Sequence, residues 1–251
     1  MRFFRALHFL SLDVVLGAVS MHMMFFHYFR GHWPMWEMDV LLGISVFLVY
    51  GIDRQIDNFS SAVLDELHAF HHRYQGILRV LFVLMAMVNL VLLFRVELPL
   101  IGLGVGLMIA LMAYWYCWAN RIFDGVWGLK EVFTSLIYSL GILLPTFVSG
   151  VFSWIEFETS IVLFLLALMN LWLFTSIEKG VKRSYVFGII LFSIFGLIHL
   201  WIGGISLMLL GILSMTWGIH VGIYYFRAQM HMRPWAELAF SSPLIYILCN
   251  L

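Results

Sequence analysis

Two aspartates at the end of an apolar segment form the clearest chemical pattern in the chain. Asp53 and Asp57 follow Tyr50 in the run Tyr-Gly-Ile-Asp-Arg-Gln-Ile-Asp. Residues i and i+4 of a helix share a face, so we expect the two carboxylates to lie about one turn apart. Hard oxygen ligands at this spacing suit Mg²⁺, which keeps some of its waters and takes substrate phosphates as further ligands. The alternative is a solvated helix end at which Asp53 pairs with Arg54.

A histidine cluster lies in the same polar segment. His68, His71 and His72 form a His-x-x-His-His pattern, which gathers imidazoles on one side of a helix. Membrane di-iron desaturases and hydroxylases use boxes of this form but need several of them, and the sequence has no second His-His pair. The pattern therefore favours a phosphate-facing or interfacial cluster over a di-iron site. His199 and His220 stand alone in later apolar segments.

Two more polar segments contain groups that could bind an anion or a metal. In the first, Lys130 follows Asn120 and could neutralise a bound anion as a point charge. In the second, Glu178 follows Asn170 and could face the first acidic pair across a bundle, with Lys182 one helical turn further along. A stop-transfer cluster of positive charge after a membrane span explains the second segment equally well.

The composition indicates that membrane-spanning helices position these groups. The 251 residues are 63% hydrophobic and 11% charged, against about 45–50% apolar and about 25% charged in soluble domains. Equal numbers of basic and acidic residues, 14 of each, argue against a nucleic-acid-binding surface. Cys117 and Cys249 lie in apolar surroundings and indicate neither a disulfide framework nor a thiolate metal site. We expect one transmembrane helical domain over residues 1–251.

Apolar runs bounded by charged residues predict nine transmembrane helices. They cover residues 8–29, 36–52, 76–94, 98–118, 132–152, 157–176, 185–201, 204–226 and 236–251. With a cytoplasmic N-terminus, twelve of the 14 Lys and Arg residues face the cytoplasm, and only Arg30 and Arg95 face outside. The prediction is an N-in, C-out multi-pass protein whose active site lies on the cytoplasmic side. Gly203-Gly204 is either a tight turn or a break within one long segment.

The order of these segments resembles the UbiA superfamily of intramembrane prenyltransferases. That family has nine transmembrane helices, a cytoplasmic active site, an aspartate-rich motif after helix 2, a basic residue leading into helix 5 and a second acidic motif after helix 6. The matching stretches span essentially the whole chain and are Asp53-Arg-Gln-Ile-Asp57, His68-Ala-Phe-His71, Leu129-Lys130-Glu131 with Gly141, and Asn170 to Glu178. The resemblance implies an all-α, nine-helix UbiA-like bundle.

The resemblance also implies an activity, which is Mg²⁺-dependent transfer of a prenyl group from a prenyl diphosphate to an aromatic or lipid acceptor in the membrane. Asp53 and Asp57 would hold Mg²⁺ against the diphosphate, Lys130 would contact the diphosphate, and Glu178 would belong to a second metal site. These four are the implied catalytic residues. The implied substrate-binding residues are Tyr50, Arg54, His68, His71, Arg73, Asn120, Asn170 and Lys182.

Three features depart from the family pattern, and in one of them the Arg that is usual in the loop after helix 2 is either replaced by the His68, His71 and His72 cluster or supplied by Arg73. Val49 stands where the first motif usually begins with Asn, and Lys182 stands where a further carboxylate is usual. Lys182 could replace the second metal as a built-in counter-charge. The alternatives to an active transferase are a catalytically inactive UbiA-like protein that binds isoprenoid lipid and a di-iron lipid oxidase.

Overall fold

The structure is a computed structural model that describes the backbone of residues 9–60, 66–96, 128–151, 153–179, 183–225 and 233–251. Side chains are described over residues 9–52, 69–96, 128–151, 153–175, 186–225 and 236–251. Every secondary-structure element described within these ranges is a helix. The predicted span 98–118 and the predicted site residues Asn120 and Lys182 lie outside the described residues.

The described helices follow the predicted spans closely except at the C-terminus. The first four are α1 (Leu12–Arg30), α2 (Trp36–Ser60), the short α3 (Glu66–Arg73) and α4 (Gln75–Leu93). The others are α5 (Leu129–Val148), α6 (Trp154–Lys179), α7 (Arg183–Ile202), α8 (Leu207–Tyr225), α9 (Arg233–Ala239) and α10 (Leu244–Asn250). Gly203-Gly204 forms a tight turn between α7 and α8. Gly204 has a φ of 84° there, which glycine adopts without strain.

Five of the described helices are long and apolar enough to cross a membrane, judged by length and composition. They are α1, α4, α5, the Trp154–Thr175 part of α6, and α8. The large side chains along α4, from Ile77 to Val91, are mostly exposed. Exposed apolar helix faces of this extent suit contact with lipid. The chain is therefore an all-helical protein compatible with a multi-pass membrane location.

The predicted ninth span over residues 236–251 is wrong, because this segment is broken in its middle. α9 and α10 contain seven residues each, which is about 10 Å of helix against a hydrocarbon core of about 30 Å. Pro243 stands at the N-cap of α10, where the missing N–H of proline does no harm. The run Ser241-Ser242-Pro243 is the sequence signal for this break, and the surrounding apolar residues obscured it.

The break lies against the middle of two long helices. On α8, Thr216 Oγ1 lies 3.2 Å from the carbonyl oxygen of Ala239 and 2.8 Å from Ser242 Oγ. On α1, Gly17 approaches the turn so closely that a Cβ there would lie 2.8 Å from Phe240 Cβ. The carbonyl oxygen of Ala239 and the hydroxyl of Ser242 thus find a partner inside the protein, as irregular backbone at membrane depth requires, whereas the buried hydroxyl of Ser241 has none among the described residues.

The ends of the long helices fall into two groups, because α1, α4 and α5 run in one direction and α2 and α6 run in the other. At one end, Arg30 at the C-terminus of α1 contacts Thr146 of α5 and Glu156 of α6. Val96, which follows α4, packs against Phe26 at the same end. We call this the Arg30 end. It contains both Arg30 and Arg95, the two basic residues predicted to face outside, whereas the membrane side on which it lies stays a prediction.

The opposite end of the bundle gathers the C-termini of α2 and α6 and the N-termini of α4 and α5. Thr175 on α6 donates a hydrogen bond to Glu131 on α5, with an Oγ1–Oε1 distance of 2.9 Å. Gly51 on α2 lies against the ring of Phe82 on α4. We call this the Asp53 end, since Asp53 follows Gly51 along α2. Every predicted site residue with a described backbone except Asn170 belongs to this end or to the adjoining α3.

Candidate functional site

A cavity with a mixed polar and apolar lining opens between α1, α2, α5, α6 and α9 toward the Asp53 end. Its volume is about 100 Å³. Pockets for drug-sized ligands are about 300–1,000 Å³, so this cavity suits a polar group with its waters and not a complete long-chain lipid. Its lining residues are Val14, Tyr50, Thr134, Ser135, Tyr138, Ala167, Asn170, Leu171, Phe174, Thr175, Glu237 and Phe240.

Two residues predicted to bind substrate, Tyr50 and Asn170, line this cavity. Tyr50 comes from α2 and Asn170 from α6, so residues 120 positions apart in the chain border one space. Thr134 and Tyr138 on α5 border the same space. The cavity therefore combines phenol, hydroxyl and amide groups within an apolar bundle, and such convergent polar groups are typical of ligand sites.

Asn170 is oriented by a histidine that looked isolated in the sequence. His220 on α8 is fully buried, and its Nδ1 lies 2.7 Å from the carbonyl oxygen of Thr216. A carbonyl can only accept, so Nδ1 carries the proton and Nε2 of the neutral ring accepts. The side-chain amide of Asn170 lies 3.1 Å from that Nε2. An amide orientation that donates Nδ2–H to His220 leaves the amide oxygen of Asn170 available to the cavity.

His199 is not isolated either. Its Nε2 lies 2.9 Å from Glu158 Oε1, at the Arg30 end and far from the cavity. The expectation that His199 and His220 stand alone is therefore wrong, because each partner lies more than 40 residues away along the chain.

Glu237 is the residue that the sequence analysis missed. It lies on α9, is only 6% exposed, and lines the cavity opposite Tyr50 and Asn170. A carboxylate within an apolar run is costly to bury and marks a functional site by default. That signal was present in the sequence, within the last predicted span, but the break that turns this residue toward the cavity was not anticipated.

The charged residues of the predicted site share helix faces with residues that line the cavity. On α2, Asp53 and Asp57 lie three and seven positions after Tyr50. On α5, Lys130 lies four positions before Thr134. These spacings return to the same face of a helix.

The same holds for the second acidic motif. On α6, Glu178 lies three positions after Thr175, and Thr175 lines the cavity. The backbones of three helices thus direct one face each toward a common region at the Asp53 end. The side chains of Asp53, Arg54, Asp57 and Glu178 lie outside the described part of the structure.

The histidine segment forms the short helix α3. His71 is buried, and its Nε2 lies 2.8 Å from the carbonyl oxygen of Phe9. Because a carbonyl accepts, that nitrogen carries a proton and is not free to ligate a metal. Arg73 is exposed and lies 5.7 Å from the ring centre of Tyr74. The described geometry ties His71 to the segment before α1, whereas the side chain of His68 lies outside the described residues.

Asp53 and Asp57 on α2 are predicted to bind a metal ion. Across the described side chains, no group of three or more His, Cys, Asp or Glu residues is placed to hold a metal ion. α2 continues without interruption to Ser60, so the carboxylates of Asp53 and Asp57 start from backbone positions one turn apart. Hard oxygen donors at this spacing fit Mg²⁺ together with water and a diphosphate.

Comparison with known proteins gives no independent assignment. No protein-family model, no curated protein and no solved structure matches the chain. The resemblance to the UbiA superfamily therefore rests on the order of the sequence motifs.

Proposed function

We propose that the protein is a divergent UbiA-like prenyltransferase that acts within the membrane. Its substrates are a prenyl diphosphate and a lipophilic acceptor, and its cofactor is Mg²⁺. The observation that carries this proposal is the shared register of three helices: Asp53 and Asp57 on α2, Lys130 on α5 and Glu178 on α6 occupy the faces that line the cavity one to two turns deeper.

The charges support a division of the site into two regions. Lys130 lies in the first turn of α5, where its ammonium group suits a diphosphate as a point charge. Asp53 and Asp57 would hold the Mg²⁺, which supplies electrostatic stabilisation of the leaving diphosphate. Deeper in the bundle, Tyr50 and Asn170 present hydrogen-bonding groups to the cavity. These groups suit the polar head of an acceptor, and the surrounding apolar helices exclude water from the reacting carbon.

Binding measurements with the purified full-length protein test this proposal. Farnesyl diphosphate and geranylgeranyl diphosphate are titrated in detergent, each with Mg²⁺ and with EDTA. We expect saturable binding that weakens at least about tenfold in EDTA and in Asp53→Asn and Asp57→Asn, since each change removes a charge-assisted contact of about 1.4 kcal/mol or more. Glu158→Gln at the Arg30 end is the control and keeps wild-type binding. Affinity that is indifferent to Mg²⁺ and to both aspartates would contradict the proposal.

Turnover separates an active transferase from an inactive isoprenoid-binding protein. Membranes containing the protein are incubated with radiolabelled prenyl diphosphate, and the lipids are extracted. A prenylated product that is absent with Asp57→Asn supports the transferase. Tight Mg²⁺-dependent binding without any product instead favours the inactive protein, and tightly bound iron in the purified protein favours the di-iron lipid oxidase.

The Lys182→Glu variant tests whether the second acidic motif belongs to the site. Lys182 stands four positions after Glu178, where the family usually has a further carboxylate. As a counter-charge it would attract the diphosphate, and Lys182→Glu should weaken binding at least about tenfold, which corresponds to about 1.4 kcal/mol. Wild-type affinity in Lys182→Glu would restrict the site to the first motif, and Lys179→Glu serves as the control for a general change in charge.

A further inference from the structure

A buried histidine and a carboxylate face each other outside the cavity. His22 on α1 is fully buried, and Asp39, in the first turns of α2, is 15% exposed. His22 Nε2 lies 3.6 Å from Asp39 Oδ1. Both atoms are buried, and neither has a hydrogen-bond partner among the described residues. Their separation exceeds a normal N–H···O hydrogen bond by about 0.4–0.9 Å.

The other side of the imidazole fixes where its proton lies. His22 Nδ1 is 2.9 Å from the carbonyl oxygen of Ile142 on α5. A carbonyl oxygen can only accept, so Nδ1 carries a proton in every protonation state of the ring. The neutral ring then presents a lone pair at Nε2 to an oxygen of Asp39. Two acceptors that face each other inside a protein repel unless a proton lies between them.

Among the described residues, no other charged group pairs with His22 or Asp39. The ring of Phe26 packs edge-on against His22, and neither His22 nor Asp39 has a further charged contact in the described part of the chain. Ionisable groups on the surrounding helices are engaged or directed elsewhere: Arg30 pairs with Glu156, His27 bonds to Tyr246, Tyr138 and Glu237 line the cavity, Glu37 is partly exposed and Arg95 is exposed.

We propose that His22 and Asp39 form a proton-binding site that links α1, α2 and α5 near the Arg30 end. One exchangeable proton bridges Nε2 and the carboxylate, either as imidazolium with carboxylate or as neutral imidazole with carboxylic acid. Both forms convert two opposed acceptors into a donor and an acceptor. The exposed fraction of Asp39 gives the proton a path to the surface at the Arg30 end, on the opposite side of the bundle from the cavity.

The proposal fixes the sign of a pH effect. With one proton bound, the contact between α1 and α2 is stabilised. When the pH rises and that proton leaves, the lone pair of His22 faces the carboxylate and the stabilisation is lost. The folded state therefore binds this proton more tightly than the unfolded state does, and the contribution of the pair falls with increasing pH.

Thermal unfolding of the full-length protein in detergent, followed by circular dichroism from about pH 5 to about pH 9, tests the site. In the wild type, the thermal midpoint should fall as the pH rises. In the Asp39→Asn variant this fall should be smaller by about 2–4 °C, because the new amide donates to His22 Nε2 at every pH. His22→Gln should reduce the pH-dependent fall of the midpoint by the same amount, and it is the alternative variant if Asp39→Asn folds poorly. His32→Gln, which removes an exposed histidine beside Phe26, should retain the wild-type slope.

Infrared spectroscopy gives a second readout that general destabilisation does not imitate. A carboxyl C=O stretch or a paired histidine signal that titrates in the wild type should be absent in both Asp39→Asn and His22→Gln. A wild-type pH slope in either variant, or an unchanged titrating signal in Asp39→Asn, would overturn the proposal. Loss of the slope in His32→Gln would also overturn it, since the proton would then be bound elsewhere.

Discussion

Glu156 holds the guanidinium of Arg30 in an almost fully buried ion pair, with an Oε1–Nη1 distance of 2.6 Å. The second carboxylate oxygen of Glu156 accepts a hydrogen bond of 2.8 Å from the backbone N–H of Ser153, whose hydroxyl in turn accepts from the backbone N–H of Glu156 at 3.3 Å. This reciprocal capping box begins α6. Arg30 also donates from Nε to the carbonyl oxygen of Thr146 at 3.0 Å. One carboxylate thereby joins the end of α1 to the connection between α5 and α6.

Glu156→Gln should destabilise the protein by about 3–5 kcal/mol, because it leaves the buried charge of Arg30 without a counter-charge. The amide oxygen can still accept from Ser153, so the loss reports the charge and not the cap. Thermal midpoints in detergent measure the effect, at about 2–4 °C per kcal/mol for a chain of this length. Glu158→Gln is the matched control: its partner His199 is 66% exposed, and exposed pairs contribute about 0–1 kcal/mol. Equal losses in the two variants would contradict this prediction.

Gly17→Ala should destabilise the protein although alanine favours helices. The added Cβ would lie 2.8 Å from Phe240 Cβ and 3.4 Å from the Phe240 carbonyl carbon, so the turn after α9 must move. Overpacking of this kind costs about 1–3 kcal/mol, which offsets the gain of about 1 kcal/mol in helix propensity. Gly218→Ala on α8 has open space around its Cβ and should be neutral or stabilising. A higher thermal midpoint in Gly17→Ala would contradict the close contact between α1 and the turn after α9.

Removing one partner of the contact between Asn170 and His220 should cost more stability than removing both. Asn170→Leu leaves Nε2 of a fully buried imidazole without a donor and should cost about 1–3 kcal/mol. The double variant Asn170→Leu/His220→Phe removes both polar partners and should recover most of that loss. Chemical unfolding of the two single variants and the double variant measures the coupling. Additive losses would mean that the two side chains do not depend on each other.

The native Cys249 tests the membrane orientation without an inserted tag. It is exposed on α10, and the neighbouring Asn250 approaches Met208 at the start of α8, which places it at the Arg30 end. In the N-in, C-out prediction, a membrane-impermeant maleimide labels Cys249 in intact cells carrying Cys117→Ser. Cys249→Ser should abolish the signal. Labelling that requires permeabilised cells would reverse the orientation and move the Asp53 end to the outside.

The sequence predicted most long helices because their signal is local. Six of the predicted apolar runs appear as helices within four residues of their predicted limits, and α2 begins at the predicted residue but extends eight residues further, to Ser60. The last span failed for a different reason: Thr216 and Gly17 make the break at Ser241–Pro243 tolerable, and neither is near that break in the sequence. Distant partners of this kind cannot be read from composition or periodicity.

The site shows the same division between local and distant information. Tyr50 and Asn170 were predicted from their positions beside charged motifs, and both border the cavity. The roles of His220 and Glu237 depend on side chains contributed by other helices, so no spacing along the chain revealed them. The catalytic and metal-binding roles of Asp53, Asp57, Lys130 and Glu178 stay predictions.

The broken C-terminal segment is held in place by helices from other parts of the chain. Neither α9 nor α10, with seven residues each, is long enough to span a hydrocarbon core on its own. The polar turn between them needs Thr216 and the surface at Gly17 to be in place. α10 docks on α1 through the 2.8 Å contact between His27 Nδ1 and the Tyr246 hydroxyl. The wall of the cavity that Glu237 forms therefore depends on helices that lie far from α9 along the sequence.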